Sequence, residues 1–280
     1  MNRTMITATN TLTQLQKQMD MISNNMANID TNGFKRREAT FTELLYQQFN
    51  NQPNVNDEAN RLTPNGIRQG TGAKLAQAQL VMAQGSIKQT DRPLDTSFIQ
   101  EGQLYKVVVQ SENGNDILYT RDGAFHLSPL GENELLLVTG DGNPILDEND
   151  NPIVINGEPK DYSISENGQL TVTMSDGENQ VYNLGVVQVN KPQFLEQKGN
   201  NLYGLPANFE GLNVPIEDIF TELVGPLRDQ IGIRQGALEQ SNVDMSKEMT
   251  ELINVQRSYQ FQSRSITIAD QMMGLVNGIR

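Results

Sequence analysis

The sequence predicts an α+β chain: a long helix at each terminus and a central antiparallel β domain rich in hairpins. Three observations predict it. Met5, Ala8, Leu12, Leu15, Met19, Ile22, Met26 and Ile29 are separated alternately by three and four residues, the spacing of a coiled-coil seam. A second, poorer stripe at the far end comprises Met245, Met249, Leu252, Tyr259, Ile266, Ala269, Met273 and Val276, with Gln256 and Ser263 at two seam positions. Between the two, short aliphatic runs at 104–109, 135–138 and 185–189 alternate with Asn-Gly and Asp-Gly pairs, the turn chemistry of β-hairpins.

The first helix is expected to run to about Asn32. Gly33 follows, where a left-handed C-terminal cap is expected. A shorter amphipathic piece is expected over residues 41–49. Asn51-Gln52-Pro53-Asn54 and Thr63-Pro64-Asn65-Gly66 are turn and extended signals without a readable period, which predicts an extended connector. The expected boundaries are 1–45 for the N-terminal helix region, 46–72 for the connector, 73–230 for the β domain and 231–280 for the C-terminal helix region. Within the β domain, Asn143-Pro144-Ile145-Leu146 and Asn151-Pro152-Ile153-Val154 read as two arms of one hairpin. Ser241 with Asp244 three residues later has the form of a capping box that opens the last helix.

Composition bounds the function. The 280 residues carry a formal net charge of -13, and only Lys35, Arg36 and Arg37 form a basic run, so a phosphate-neutralising surface for nucleic acid is missing. Aromatics make up 6 % of residues and Trp is absent, which suits an elongated chain or one that orders on assembly. No apolar run reaches the length of a membrane span, and Met1 to Asp20 lacks the apolar block of a secretory signal. Without Cys there is no disulfide and no thiolate metal site.

Chemistry is sparse. His126, the single histidine, lies in a strand-like alternation, and no Gly-x-Ser-x-Gly elbow accompanies it. Asp147 to Asp150 with Glu158 at the twelfth place mimics the ligand spacing of a calcium loop, but Pro152 occupies the position where the sharp turn needs Gly, so a hairpin turn is expected. No catalytic residue, metal site, cofactor or small-molecule substrate is predicted. The methionines of the end helices are read equally as core filling and as an adaptable contact surface. A helix that starts at the terminus has no core of its own, so its seam is expected to be covered by the other terminal helix and by neighbouring molecules, coupling folding to assembly.

Ser23-Asn24-Asn25-Met26-Ala27-Asn28-Ile29-Asp30-Thr31-Asn32-Gly33-Phe34-Lys35 is close to the N-terminal signature S-x-N-I/L-A-N-x-x-T-x-G-F/Y-K of the axial rod and hook proteins of the bacterial flagellum. Residues 235–244, Glu248 to Ile253 and Gln256 to Tyr259 resemble the C-terminal signature of that family. Tyr119-Thr120-Arg121-Asp122-Gly123-Ala124-Phe125 is similar to its Y-T-R-D-G-x-F turn, Gln84 to Ile87 with Thr90 and Pro93 to Asp95 to its β-domain entry, and residues 65–72 to a distal-rod connector. One stretch departs: Asp95 to Leu104 replaces the usual D-x-A-I-x-G-x-G-F-F, which leaves the first β strands less defined.

The resemblance implies a non-enzymatic subunit of the flagellar basal-body rod. Such a subunit leaves the cell through the flagellar type III export apparatus and polymerises with itself and other rod and hook subunits into a torque-transmitting helical tube. It implies that the terminal helices pair as an antiparallel coiled coil lining the tube, with the β domain outside. Carried over, the assembly contacts are Met5, Ala8, Leu12, Leu15, Met19, Ile22, Asn25, Met26, Asn28 and Ile29 at one end. At the other they are Met245, Met249, Leu252, Tyr259, Ile266, Ala269, Met273 and Val276. Asn32 is equally a local cap. A hook-type subunit and a secreted ligand-binding β module are the alternatives, the latter binding its ligand as a monomer without the helices.

Overall fold

The computed structural model describes residues 2–43, 46–49, 67–70, 73–111, 114–131, 133–199, 201–206 and 215–278. The chain is α+β, with a helix at each end and a β-rich centre. Helix α1 (Asn2–Ala27) is followed by strands β1 (Arg37–Glu43), β2 (Tyr46–Phe49), β3 (Ile67–Gly70) and β4 (Ala73–Leu80). Next come β5 (Ile87–Gln89), β6 (Thr96–Phe98), β7 (Gln103–Ser111), β8 (Gly114–Thr120), β9 (His126–Pro129) and β10 (Glu134–Val138). They are followed by β11 (Val154–Asn156), β12 (Pro159–Ile164), β13 (Gln169–Met174), β14 (Asn179–Asn183) and β15 (Val186–Val189). The series closes with β16 (Glu196–Gly199), β17 (Leu202–Gly204), β18 (Phe220–Glu222), β19 (Ile233–Gln235), β20 (Ala237–Glu239) and helix α2 (Met245–Gly278). No helix among the described residues is long and apolar enough to cross a membrane.

Two compact units divide the chain: residues 1–24, 37–79 and 245–280 form one, and residues 25–36 with 80–244 form the other. In the first, α1 lies beside the β1–β4 pair, where Lys17, Asp20, Met21 and Asn24 line a shallow groove with Arg37 and Ala78. The stretch expected to be an amphipathic piece and a connector carries strands: β2 pairs antiparallel with β3, Tyr46 opposite Gly70 and Phe49 opposite Ile67. The two Pro-containing turn signals at 51–54 and 63–66 lie outside the described residues.

The helix ends differ from expectation in instructive ways. α1 stops at Ala27, five residues before Asn32, and Ile29 lies beyond it. The Asn28 amide bonds to the Asn25 carbonyl and the Thr31 amide to the Asn28 carbonyl, while the Thr31 hydroxyl donates to the Asn28 side chain. These tight local turns are what Asn side chains favour over a continuing helix. At the other end α2 opens at Met245, not at Ser241. The Ser241 hydroxyl accepts the Val243 amide two residues on, and the Asn242 side chain is occupied across the fold, so residues 241–244 are held outside the helix.

The second unit is built on a six-stranded antiparallel sheet, ordered β16-β17-β8-β7-β15-β18. Its central strands are buried on both faces, which is why 104–109 and 185–189 are apolar but for Lys106, whose ammonium pairs with Asp150 and Glu222, and Gln188. Tyr105, Val107 and Val186 point to one core with Phe98, Phe125, Leu137, Ile145 and Leu170. Leu104, Val187 and Val189 point to another with Leu80, Tyr203 and Phe220. Tyr105 packs tilted against Phe98, ring centroids 4.3 Å apart, and edge-to-face against Phe125 at 5.0 Å. Two three-stranded sheets, β11-β10-β9 and β12-β13-β14, flank the first core. The 143–154 repeat forms the expected hairpin: Leu146 bridges Pro152, the Ile153 amide bonds to the Ile145 carbonyl, and both isoleucines are buried.

The departing stretch at 95–104 is fully ordered into this architecture. Phe98 fills the core, and Gln103 is buried, with its amide donating to the Gln230 carbonyl at 2.8 Å while its side-chain oxygen accepts the Gly232 amide. Ser97 stands where the family pattern has Ala, and its buried hydroxyl has no hydrogen-bond partner.

A buried charge clasp and the candidate assembly helices

Glu239 ends β20 and is 2 % exposed. Its Oε1 accepts Lys35 Nζ at 2.6 Å and the Gly85 amide at 2.9 Å, and its Oε2 accepts Arg121 Nε at 2.6 Å. The remaining donors of the two cations go to backbone carbonyls: Lys35 Nζ to Ala83, and Arg121 Nη1 and Nη2 to Gln103 and Gln100, each at 2.8 Å. The Arg121 guanidinium also lies 5.3 Å over the Phe98 ring. A buried ion cluster is tolerable only when its charges are paired and hydrogen-bonded, and here each charged nitrogen of Lys35 and Arg121 has at least one acceptor.

Electrostatics follow from one carboxylate serving two cations. Burial pushes the Lys35 pKa down, Arg121 adds to that, and Glu239 offsets part of it, leaving a value of about 8. For Glu239, burial pushes the carboxyl up, but Arg121 and then Lys35 outweigh it and hold the value below the ordinary range. Nearby Asp122, whose Oδ1 accepts the Ala124 amide in the Asp-Gly turn, is raised to about 6, mainly by burial.

Backbone contacts complete the clasp. The Gly33 amide donates to the Glu239 carbonyl at 2.7 Å. Gly33 has a φ of 67°, and a Cβ there would lie 2.5 Å from the Arg121 carbonyl oxygen, so only glycine fits. It is therefore a docking point of the 31–36 segment, several residues beyond the end of α1. Asn242 Oδ1 accepts the Arg36 amide at 2.7 Å, while its Nδ2 donates to the Val81 and Ala83 carbonyls. Asn201 Nδ2 donates to the Asn32 carbonyl, which gives Asn32 a partner far along the chain as well as its place in the turn. Segments near 32–36, 81–85, 121–123 and 239–242 thus meet in one place.

The helices carry the predicted contact residues. On α1, Ala8 and Ile22 are buried, and Met5, Leu12, Leu15, Met19 and Met26 are half-buried. Asn25, in the last turn, is buried; Asn28 and Ile29 are half-buried in the turns beyond it. On α2 the covered stripe is Glu248, Leu252, Val255, Tyr259, Gln262, Ile266, Ala269 and Met273, again at alternating four- and three-residue spacing. Met245 and Val276 continue that spacing at its two ends but are exposed, whereas Met249, Gln256 and Ser263 are exposed and lie off it. Polar Glu248 and Gln262 occupy two of the covered positions, which an apolar pattern does not mark.

No enzyme-like constellation stands out among the described residues. His126 is exposed at the start of β9, with Nδ1 3.2 Å from Arg92. In the calcium-like loop, Asp147 Oδ1 accepts the Asn149 and Asn151 amides, Asp150 pairs with Lys106 at 2.7 Å, and Glu148 accepts from Asn183 and Arg228. The carboxylates cap a hairpin turn and answer cations instead of converging on one point.

Lys35, Arg121 and Glu239 had no role assigned from sequence, though each lies in a quoted motif. Only Glu239 stands out locally, as the single charge between Arg234 and Asp244; Lys35 adjoins Arg36 and Arg37, and Arg121 adjoins Asp122.

Three family models match the chain: "Flagella basal body rod protein" over residues 5–35, "Flagellar hook protein FlgE/F/G D1 domain" over 101–172 and "Flagellar basal body rod FlgEFG protein C-terminal" over 234–279. The chain is 48 % identical to the flagellar hook-basal body complex protein FlhP of Bacillus subtilis, over the full length of both. It is 32 % identical to the basal-body rod protein FlgG of Borreliella burgdorferi, over 100 % of this chain and 99 % of that one. Identity to FlgG of Bacillus subtilis is 28 %, over 98 % and 97 %. Matched from end to end, with the signatures of both termini closing on one buried carboxylate, the chain belongs to the flagellar basal-body rod protein family.

Proposed function

We propose that this chain is a structural subunit of the flagellar rod, located in the basal body beyond the cytoplasmic membrane, where it transmits torque for motility. The full-length likeness to FlhP and FlgG carries this reading. Those relatives are structural proteins, and the chain is not an enzyme in this reading. Within one organism, Bacillus subtilis, FlhP is nearer than FlgG (48 % against 28 %), which favours an FlhP-type rod subunit.

In the assembled rod the terminal helices pair antiparallel and line a helical tube. The exposed apolar residues of α2 support this, because they leave surface for neighbouring helices to cover. Partners are further copies and other rod and hook subunits, reached through the flagellar type III export apparatus. A hook-type subunit is the second reading, supported by the matched D1 model, whose description spans hook and rod proteins. Cells deleted for this chain should be non-motile with truncated basal bodies, and a tagged copy should restore swimming and co-purify with basal bodies. A restored, motile cell whose basal bodies lack the tagged chain would refute the assignment.

A further inference from the structure

α2 carries two exposed apolar patches besides its covered stripe. Met249 and Ile253, 51 % and 48 % exposed, lie on one flank in the first half of the helix. Phe261, Ile268, Met272 and Leu275, between 47 % and 68 % exposed, lie on the other flank in the second half. At 3.5 residues per turn the patches sit about 100° to either side of the covered stripe. The flanks have opposite patterns. The first is apolar and then polar (Gln256, Gln260, Ser263, Thr267); the second is polar (Lys247, Glu251, Asn254, Ser258) and then apolar.

We infer that neighbouring copies pack α2 beside α2 in parallel, the first flank of one against the second flank of the next, shifted by 19 residues. The shift is read from 268 minus 249 and equally from 272 minus 253, and corresponds to about 28 Å along the helix. A second copy is the occupant for three reasons. Ile6 is the one exposed large apolar residue of α1 among those described, so α1 offers no apolar stripe to cover these patches. Residues 245–280 hold four basic and three acidic side chains, against -13 for the whole chain, so this helix approaches its own kind without the repulsion the rest would meet. With this shift the facing positions, 246, 249, 253 and 256 of one copy and 265, 268, 272 and 275 of the next, carry no charged residue, so no like charges meet there. Two different patches on opposite flanks make a head-to-tail contact, which propagates as an open helix instead of closing a dimer. This rests on the rod reading above and adds to it which surfaces meet and in what register.

The chain has no Cys, so engineered thiols are unique. Two singly substituted chains, Met249→Cys and a tagged Ile268→Cys, are co-expressed, and isolated basal bodies are treated with a short bis-maleimide. A new band near twice the 31.2 kDa chain mass, carrying the tag, is expected. Met249→Cys with Asn254→Cys, a near-level pair on the two flanks only five residues apart, should give none. A band from Met249→Cys alone would mean a two-fold contact and overturn the proposal, as would a band from the level pair or none from the shifted pair. If the first pair enters basal bodies poorly, Ile253→Cys with Met272→Cys, also 19 apart, decides by the same criterion. Absence of even the unsubstituted chain from basal bodies would overturn the rod reading instead.

Discussion

Replacing Glu239 with Gln preserves shape and removes one charge at the centre of the clasp. The carboxylate accepts three donors, Lys35 Nζ, the Gly85 amide and Arg121 Nε, through two oxygens. An amide has one oxygen. Whichever way it turns, its NH2 faces a donor, and two buried cations lose their counterion. Breaking a buried, hydrogen-bonded ion pair from one side costs about 3–5 kcal/mol, a large share of the roughly 5–15 kcal/mol that holds a domain together. Lys35→Met should be milder, about 1–2 kcal/mol, because it leaves a neutral Arg121–Glu239 pair and removes the cation whose pKa burial already lowers. Urea unfolding of the full chain, followed by far-ultraviolet circular dichroism and Tyr fluorescence, measures both. A loss under about 1 kcal/mol for Glu239→Gln, or equal losses for the two variants, would refute the charge reasoning.

Three further outcomes are expected. Asp122 has a folded pKa of about 6 against 3.8 unfolded, so its favourable contribution is complete below pH 3.8 and is lost as pH rises through 6; Asp122→Asn should stabilise by on the order of 1–3 kcal/mol at pH 7 and by little at pH 4, read from urea midpoints at the two pH values. Ser97→Ala removes a buried hydroxyl without a partner and should stabilise by about 1 kcal/mol; a lower melting temperature would show that the hydroxyl has a bonding role. Ile22→Asp, at a position 2 % exposed on α1, should abolish swimming while the β unit keeps its dichroism and protease resistance, and motile cells would contradict the seam.

Much of the fold was legible because the local signals were strong and redundant. The 3-4 spacing defined α1, and the Asp141-Gly142, Asn167-Gly168 and Asp176-Gly177 turns all carry the left-handed glycine that hairpins require. Helix ends were less legible, since they depend on partners distant in sequence: α2 starts late because Asn242 bonds to Arg36, Val81 and Ala83. The covered stripe of α2 was only partly legible, because Glu248 and Gln262 occupy covered positions and polarity there hides the period. The clasp was the least legible feature, because Lys35 and Glu239 stand 204 residues apart and nothing local marks them as a pair.

That separation has a kinetic side. When Glu239 is joined to a chain growing from its N-terminus, 41 of 280 residues remain to be added (280 − 239). Until then Lys35 and Arg121 have no carboxylate to meet, β5 lacks β20 and β6 lacks β19. Closing the clasp early would bury two like charges against each other, so an incomplete chain is biased to stay open. The same residues that stabilise the finished unit thereby time its completion, deferring it until Glu239 has been delivered.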